Sequence, residues 1–505
     1  MSAPPNTGRR VLAAALAGIL AGCAAAPAYR TPEVEVPAHF STSAGGSGAW
    51  DVAAPADTAP RGEWWRLFHD PALDQLEQQL VLSNQNLKQA AAQWQQARAL
   101  ENVARAGFYP TVGADVGATR ARTSANVEGR SLAGQTVNDF STGLVASWEP
   151  DLFGRVASAT DAAHADAQAS AADLEGVRLA MTSELAFDYF GLRAVDAEIS
   201  LLDASVRAYG ESLQMVESQR RLGAVDDAAV AQAQTQLEGA RSQAEELGIQ
   251  RRRYVHAIAT LTGKPAPGFE LAPEAVAPTP ALTSTPTLQQ MPAVPPGLPS
   301  QLLQRRPDVA AAERRVASAN ARIGQARAAF FPSLVLSAAA GLESSTFAPW
   351  LGAPSLFWAL GPQLVGTLFD GGQRKAQLAG ANAAYDAEVA SYRQTVLAAF
   401  QDVEDELSAL QGLAQEAQSE QRATEAAERS LALTSNRYRA GTASYLDVTT
   451  TQTLALDHER TLAQVQGRRM QASVLLLKAI GGGWQGLPDV APLPAAAAIA
   501  RETPG

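Results

Sequence analysis

The chain has 505 residues, 46% of them hydrophobic but only 6% aromatic, so alanine supplies much of the apolar content and favours closely packed helices. Its formal charge is -11, and -13 once a leader carrying Arg9 and Arg10 and no acid is removed, which excludes nucleic-acid binding, where clustered Lys and Arg must neutralise phosphates. The single cysteine, Cys23, excludes a disulfide framework and a multi-cysteine metal site.

Arg9 and Arg10 precede an apolar stretch of about ten residues, 11–20, too short for a bilayer span but right for a signal h-region. Leu20-Ala21-Gly22-Cys23 then resembles the bacterial lipobox. Residues 1–22 are therefore expected to be a lipoprotein signal peptide, and Cys23 the lipidated first residue of the mature chain. Ala24, rather than Asp, follows the cysteine, which by resemblance to such lipoproteins favours sorting to the outer membrane. Two or three acyl chains anchor stably where one is marginal. Residues 23–73 form the lipidated N-terminal segment. No later segment has eighteen continuous apolar residues, so further membrane contact must come from strands.

After that segment the spacing predicts a helix over 74–106, ended by Phe108-Tyr109-Pro110, since Pro cannot continue a helix. Two strands follow. Val112, Ala114, Val116 and Ala118 alternate with Thr111, Gly113, Asp115, Gly117 and Thr119. Phe140, Leu144, Ala146 and Trp148 then oppose Ser141, Gly143, Ser147 and Glu149. A helix over 156–222 comes next, with no Pro and about 100 Å of length. A turn at Gly223 leads into a helix over 226–261, and residues 264–300 form a Pro-rich connector.

The plan then repeats. Arg105 to Pro110 recurs as Arg327 to Pro332, offset by 222; Leu152-Phe153-Gly154-Arg155 is echoed at Leu368 to Gly372, offset by 216; Leu222-Gly223 with Gln234 is echoed by Ala440-Gly441 with Gln452, offset by 218. Residues 74–263 and 301–482 are thus two similar repeats, and 483–505 is a tail. The second repeat reads as a helix over 307–329, two strands, a helix over 373–440, a turn at Gly441 and a helix over 444–480. In its strands Leu334, Leu336, Ala338 and Leu342 oppose Ser333, Ser337 and Gly341; Trp358, Leu360 and Leu364 share a face, with Leu368 further along. Pro362 removes a ladder donor and is expected at a bulge or an irregular edge.

In each repeat the two shorter helices together match the long one in length and can run beside it. A helix so long must pack laterally, as in a coiled coil or helical tube. The strands, about ten residues each and apolar on alternate positions, match membrane barrel strands and do not fit an isolated coiled coil. Four strands cannot close a barrel, and an open sheet would leave unpaired backbone groups in lipid. The barrel must be shared between subunits, and the sequence by itself does not choose between eight strands in a dimer and twelve in a trimer.

No nucleophile elbow, Walker loop or HExxH is present, and Gly481-Gly482-Gly483 lacks the context of a phosphate cradle. His39, His69, His164, His256 and His458 are scattered, and Glu404, Asp405 and Glu406 read as a solvated helix face. No catalytic residue, no metal site and no cofactor beyond the covalent lipid is expected.

Trp64-Trp65-Arg66-Leu67-Phe68, Asp70-Pro71, Leu73, Leu76, Asn84 and Leu87 together resemble the opening of the TolC/OprM-like outer-membrane factors of resistance-nodulation-division efflux pumps. Phe108-Tyr109-Pro110, the run Trp148 to Arg155, Arg305 to Val309, Phe330-Phe331-Pro332, Phe369 to Gly372 and Tyr438 to Val448 continue the match in order over nearly the whole mature chain, and the lipobox fits the lipoprotein (NodT-type) branch. The resemblance implies a mainly α fold with a β membrane part: a long α-helical barrel continuous with a β-barrel completed by trimerisation, four strands per chain. It implies a homotrimer in outer-membrane lipid that meets a periplasmic adaptor and an inner-membrane transporter, and serves as a passive exit duct for drugs or other small molecules. Type I protein secretion, metal-ion efflux and a structural helical lipoprotein are the alternatives; five methionines and one lipidated cysteine argue against a soft-metal relay.

In that family the glycine turns form the periplasmic tip. Gly223 and Gly441 suit such turns, and Tyr438, Gly441, Thr442 and Asp447 match the tip motif of the second half. Ala443 and Thr450 depart from it, standing where some members have a basic residue and a second acid. Ser444-Tyr445-Leu446-Asp447 also has the spacing of a capping box, so Asp447 is expected to cap a helix, to line the constriction, or both. Asp226 and Asp227 sit similarly at the first tip, where a helix N-terminus favours acids and cation attraction is the second role.

Overall fold

The computed structural model describes residues 27–34, 63–126, 133–273 and 306–482. Cys23 and its lipobox, the tail 483–505 and most of the connector lie outside the described residues. A 3-10 turn, Trp64–Phe68, leads into α1 (Pro71–Ser83) and α2 (Gln85–Ala106), then β1 (Thr111–Arg122), β2 (Thr136–Trp148), α3 (Arg155–Arg221) and α4 (Asp227–Leu261). The second half has α5 (Pro307–Ala328), β3 (Ser333–Ser344), β4 (Leu356–Val365), α6 (Gln373–Arg439) and α7 (Tyr445–Ala479). The repeat is exact in helix length: 22, 67 and 35 residues for α2, α3 and α4, and 22, 67 and 35 for α5, α6 and α7.

The helix expected over 74–106 starts earlier and is interrupted. Asp70 accepts the amides of Ala72 (2.8 Å) and Leu73 (3.2 Å), and Pro71 occupies the first helical position, where its missing N–H costs nothing. At Asn84 the backbone turns extended (ψ 130°). There the Asn84 Nδ2 donates to the Leu261 carbonyl (2.8 Å) while its Oδ1 accepts the Leu87 amide (3.0 Å), so one buried side chain starts α2 and fastens it to the end of α4. Gly263 (φ 72°) lies beside this break, and a Cβ there would sit 2.7 Å from the Ser83 carbonyl oxygen.

Two compact units divide the chain. One contains the four strands with 93–170 and 311–393 around them; the other contains 171–310 and 394–505 with 34–92. In the second unit Trp65, Tyr189, Phe190, Leu185, Leu192, Leu202, Ile258, Met470 and Leu476 are fully buried, each contributing about 1.5–3 kcal/mol of burial. The tryptophan-rich opening docks on α3: Trp64 Nε1 donates to Thr182 Oγ1 (3.3 Å), Phe68 packs on Phe190 (4.7 Å between rings), and the Tyr189 hydroxyl donates to Asp70 (2.6 Å). Asp196 joins Arg193 (3.0 Å) and Arg251 (2.7 Å), whose guanidinium groups also hold the carbonyls of Ala272 and Leu271. The start of the connector is thereby fixed. Helices α3 and α7 cross closely, because a Cβ on Gly467 would lie 2.5 Å from that of Ala194.

In the strand unit all four strands are antiparallel neighbours in chain order. The register aligns one apolar face. Val112, Ala146, Ala338 and Leu360 stand in one row, Ala114, Leu144, Ala340 and Trp358 in the next, and Val116, Thr142, Leu342 and Leu356 in a third. The opposite face carries Thr111, Ser147, Ser337 and Gly361, then Asp115, Gly143, Gly341 and Phe357. Pro362 stands in the edge strand β4, as expected, but in unbroken register with Leu336, so no bulge is formed. An edge strand has one neighbour within the chain, which is the position in a sheet where Pro is tolerated. At the same unit's N-terminal segment, the Tyr29 hydroxyl donates to Glu313 Oε1 (2.7 Å) and Asn320 Nδ2 donates to the Pro27 carbonyl (2.9 Å), which lays residues 27–31 along α5.

Candidate functional site

Two features of the chain remain unfinished in the isolated protomer. The first is the sheet. On its apolar face Val112, Val116, Leu144, Trp358, Leu360 and Leu364 are all more than half exposed. So large a contiguous apolar surface marks an interaction with lipid or protein. Strands β1 and β4 have neighbours on one side only, and their free backbone groups cannot be left bare in hydrocarbon. Aromatic groups stand at both ends of the band. At the helix end Trp148 Nε1 donates to the Phe108 carbonyl (3.0 Å) and Phe153 stacks on Phe331 (4.9 Å); at the loop end Phe140, Phe347 and Trp350 pack together at 5.6–5.9 Å. Aromatic girdles at two levels are the mark of a membrane strand band. No helix among the described residues is long and apolar enough to cross a membrane.

The strand-to-helix junctions explain the motifs there. Glu149 receives a two-point hydrogen bond from Arg155 (3.0 and 2.7 Å), and Asp151 accepts the Ala157 amide (2.7 Å) at the start of α3. Asp370 plays the same part before α6, accepting from Arg374 and from the Gly372 amide (2.9 Å), and these bonds hold its carboxyl below the usual range.

The second feature is the pair of helical turns, α3 to α4 and α6 to α7. Gly223 and Gly441 both adopt φ 74°, a conformation open to glycine without penalty. Each forms a Schellman motif: Gly441 donates to the Tyr438 carbonyl (2.9 Å) and Thr442 to that of Arg437 (2.9 Å), as Gly223 does to Arg220 (2.8 Å) and Ala224 to Gln219 (2.9 Å). The Thr442 hydroxyl adds a bond to the Arg437 carbonyl (3.1 Å).

Beyond the turns the acids cap. Ser444 Oγ accepts the Asp447 amide (3.2 Å), and Asp447 Oδ2 accepts the Ser444 amide and hydroxyl (both 2.8 Å), completing a capping box. Those Ser444 bonds, backbone first, lower the Asp447 pKa. Asp226 caps α4 through the Ala229 amide (3.1 Å), and Asp227 pairs with Arg220.

The two turns meet within the chain. The Tyr438 hydroxyl donates to Gln219 Oε1 (3.1 Å) on α3, and its ring lies 6.1 Å from that of Tyr445. Val216, Ala233 and Tyr445 form a small buried cluster, with Leu213, Val225, Val230 and Tyr438 around it. Gln219, Arg220 and Tyr445 were missed in the sequence as partners of the expected tip residues. At the offset of 218 that relates the two turns, Arg220 is the counterpart of Tyr438 and Gln219 that of Arg437, which is the signal that could have placed them at the first tip. Among the described residues no group of three or more His, Cys, Asp or Glu could hold a metal ion.

Comparison with known proteins agrees with this geometry. A family model described as "Outer membrane efflux protein" matches residues 76–264 and 298–482. The chain is 32% identical over 472 residues to the probable efflux pump outer membrane protein TtgC of Pseudomonas putida, covering 93% of this chain and 95% of the relative. It is 30% identical to the cation efflux system protein CusC of Escherichia coli, covering 92% and 97%. The solved structure of the outer-membrane channel OprN superposes with a TM-score of 0.81 at 29% identity, over 92% of this chain and all of that one (100%).

Proposed function

We propose that this chain, which belongs to the outer membrane efflux protein family, works as a homotrimeric exit duct in a tripartite pump. It is an outer-membrane component of an efflux system, mainly helical with a four-stranded antiparallel sheet. The observation that carries a barrel shared between copies is the unfinished sheet: an apolar face beside two unpaired edges asks for β1 of one copy to meet β4 of the next, and the likeness to outer-membrane channels supports three copies. Three copies give twelve strands. The repeated helices supply the wall of a periplasmic tunnel, a periplasmic adaptor and an inner-membrane transporter complete the machine, and the turns at Gly223 and Gly441 form the tip. Cys23 carries the acyl anchor, which the intact mass of the mature protein reads directly. The chain is not an enzyme; cargo passes unchanged and the energy comes from the pump.

Small organic molecules are the favoured cargo. The likeness to CusC, named for cation efflux, supports metal ions as the second reading, against which stand five methionines and the absence of a ligand cluster among the described residues. Purified full-length protein in a planar bilayer should give discrete conductance steps. A protein that binds the bilayer without conducting would refute the duct.

A further inference from the structure

The charged residues of the strands divide by face. Asp115 stands opposite Gly143, Asp139 opposite Thr119 and Glu343 opposite Ser141, all on the face rich in glycine and serine. Arg120 and Arg122 fall on the other face, in line with Val112, Val116 and Ala118. A basic side chain facing hydrocarbon is costly at the bilayer centre and tolerated only near the interface. The pair therefore marks where the apolar band ends.

The neighbours agree. Phe140, opposite Ala118, is the last ring of the apolar face before the arginines, and it packs with Phe347 and Trp350 at the level where aromatic side chains meet headgroups. Beyond that ring Asn138 stands opposite Arg120, and Thr136 opposite Arg122. Two guanidinium groups, an amide and a hydroxyl thus share one outward patch, diagonal from an aromatic cluster. Both arginines are exposed, and among the described residues no ion pair engages either.

We propose that Arg120 and Arg122, with Asn138 and Thr136 across the ladder, bind the phosphate of an anionic lipid headgroup in the leaflet remote from the helices. The inference rests on the outer-membrane reading above. Guanidinium suits the role because its planar fork takes two phosphate oxygens at once. The acids of the strands stand on the opposite face, so among the described strand residues no acid on the outward face competes for the arginines. Bound lipid would fix the height of the sheet against the membrane surface through charge as well as through the aromatic belt.

The test uses full-length protein in phosphatidylcholine vesicles doped with bisphosphorylated lipid A, repurified, with the lipid A retained per chain measured. Wild type should retain it and R120Q/R122Q should lose about tenfold or more, from roughly a factor of five per basic residue. R120K/R122K should keep most of the retention. Dephosphorylated lipid A should not be retained, and inorganic phosphate at matched concentration should not displace the bound lipid. Equal retention by wild type and R120Q/R122Q, or of the dephosphorylated lipid, would overturn the proposal, and displacement by inorganic phosphate would make this an ion site instead. Should R120Q/R122Q fail to assemble, the dephosphorylated lipid on wild type decides. Conductance separates the two readings: a conducting protein that retains no lipid A sinks this inference alone, whereas a non-conducting one sinks the channel.

Discussion

At the turn between α6 and α7, Asp447 accepts two bonds from Ser444, and two acceptor sites on one oxygen are thereby used. The capping role expected from the spacing is therefore present, and any part in a constriction would be additional. Tyr438 is a stronger gate candidate, because its hydroxyl ties α6 to Gln219 of α3. If that tie favours a closed tip, removing it shifts the population towards open by no more than the energy of the bond. Tyr438→Phe should raise single-channel conductance, and Asp447→Asn, which removes the charge and keeps hydrogen-bonding capacity, should change it less than Asp447→Ala. Unchanged conductance in all three, with normal assembly, would place the constriction elsewhere.

A different residue was missed in the sequence. Glu77 is fully buried on α1, neither carboxylate oxygen has a partner among the described residues, and burial, aided by Asp74, pushes its pKa well above the usual range. Below the ordinary carboxylate range both folded and unfolded chains hold the proton. As pH rises through it, the unfolded chain ionises first, so Glu77 subtracts stability that grows until its raised pKa is reached. Glu77→Gln should therefore stabilise at neutral pH by about 1–3 kcal/mol and have little effect in acid. Thermal melts at several pH values would show it, and a pH-independent gain or a loss would contradict the account. The pattern around Glu77 did carry a signal, since it stands four residues after Leu73 and three before Leu80, on the face that Leu73, Leu76 and Leu80 bury.

At the scale of elements, Pro, Gly and cap signals placed most helix ends within one residue. Gly223 and Gly441 end the long helices, and Ser444 and Asp226 start the next. The break at Asn84 was missed because the apolar period runs through it, and its cause is a contact with Leu261, far off in the chain. An Asn followed three residues later by the Leu87 amide it caps was the available local signal. The close crossing of α3 and α7 was equally hidden. Gly467 faces Ala194 with no room for a methyl group, so Gly467→Ala should cost about 1–3 kcal/mol by overpacking. Adding Ala194→Gly should restore part of the loss, and a double variant no more stable than Gly467→Ala alone would show that the crossing is not what Gly467 serves.

For the whole molecule, the two faces of the sheet were legible before the structure, because alternation over four short segments left one face apolar and the other small or polar, while the pairing of the strands was not. Val112, Leu144, Ala338 and Leu360 then proved to share that face. The number of copies was not legible, since unpaired edges on β1 and β4 require a neighbour without counting them. The count is where the account is most exposed. Particle images of the detergent-solubilised full-length protein, viewed along the symmetry axis, measure it most directly. The account predicts threefold symmetry with a near-sixfold helical wall, because each chain contributes the 22, 67 and 35-residue helices twice. A stable folded monomer, or a ring of any other number, would contradict it.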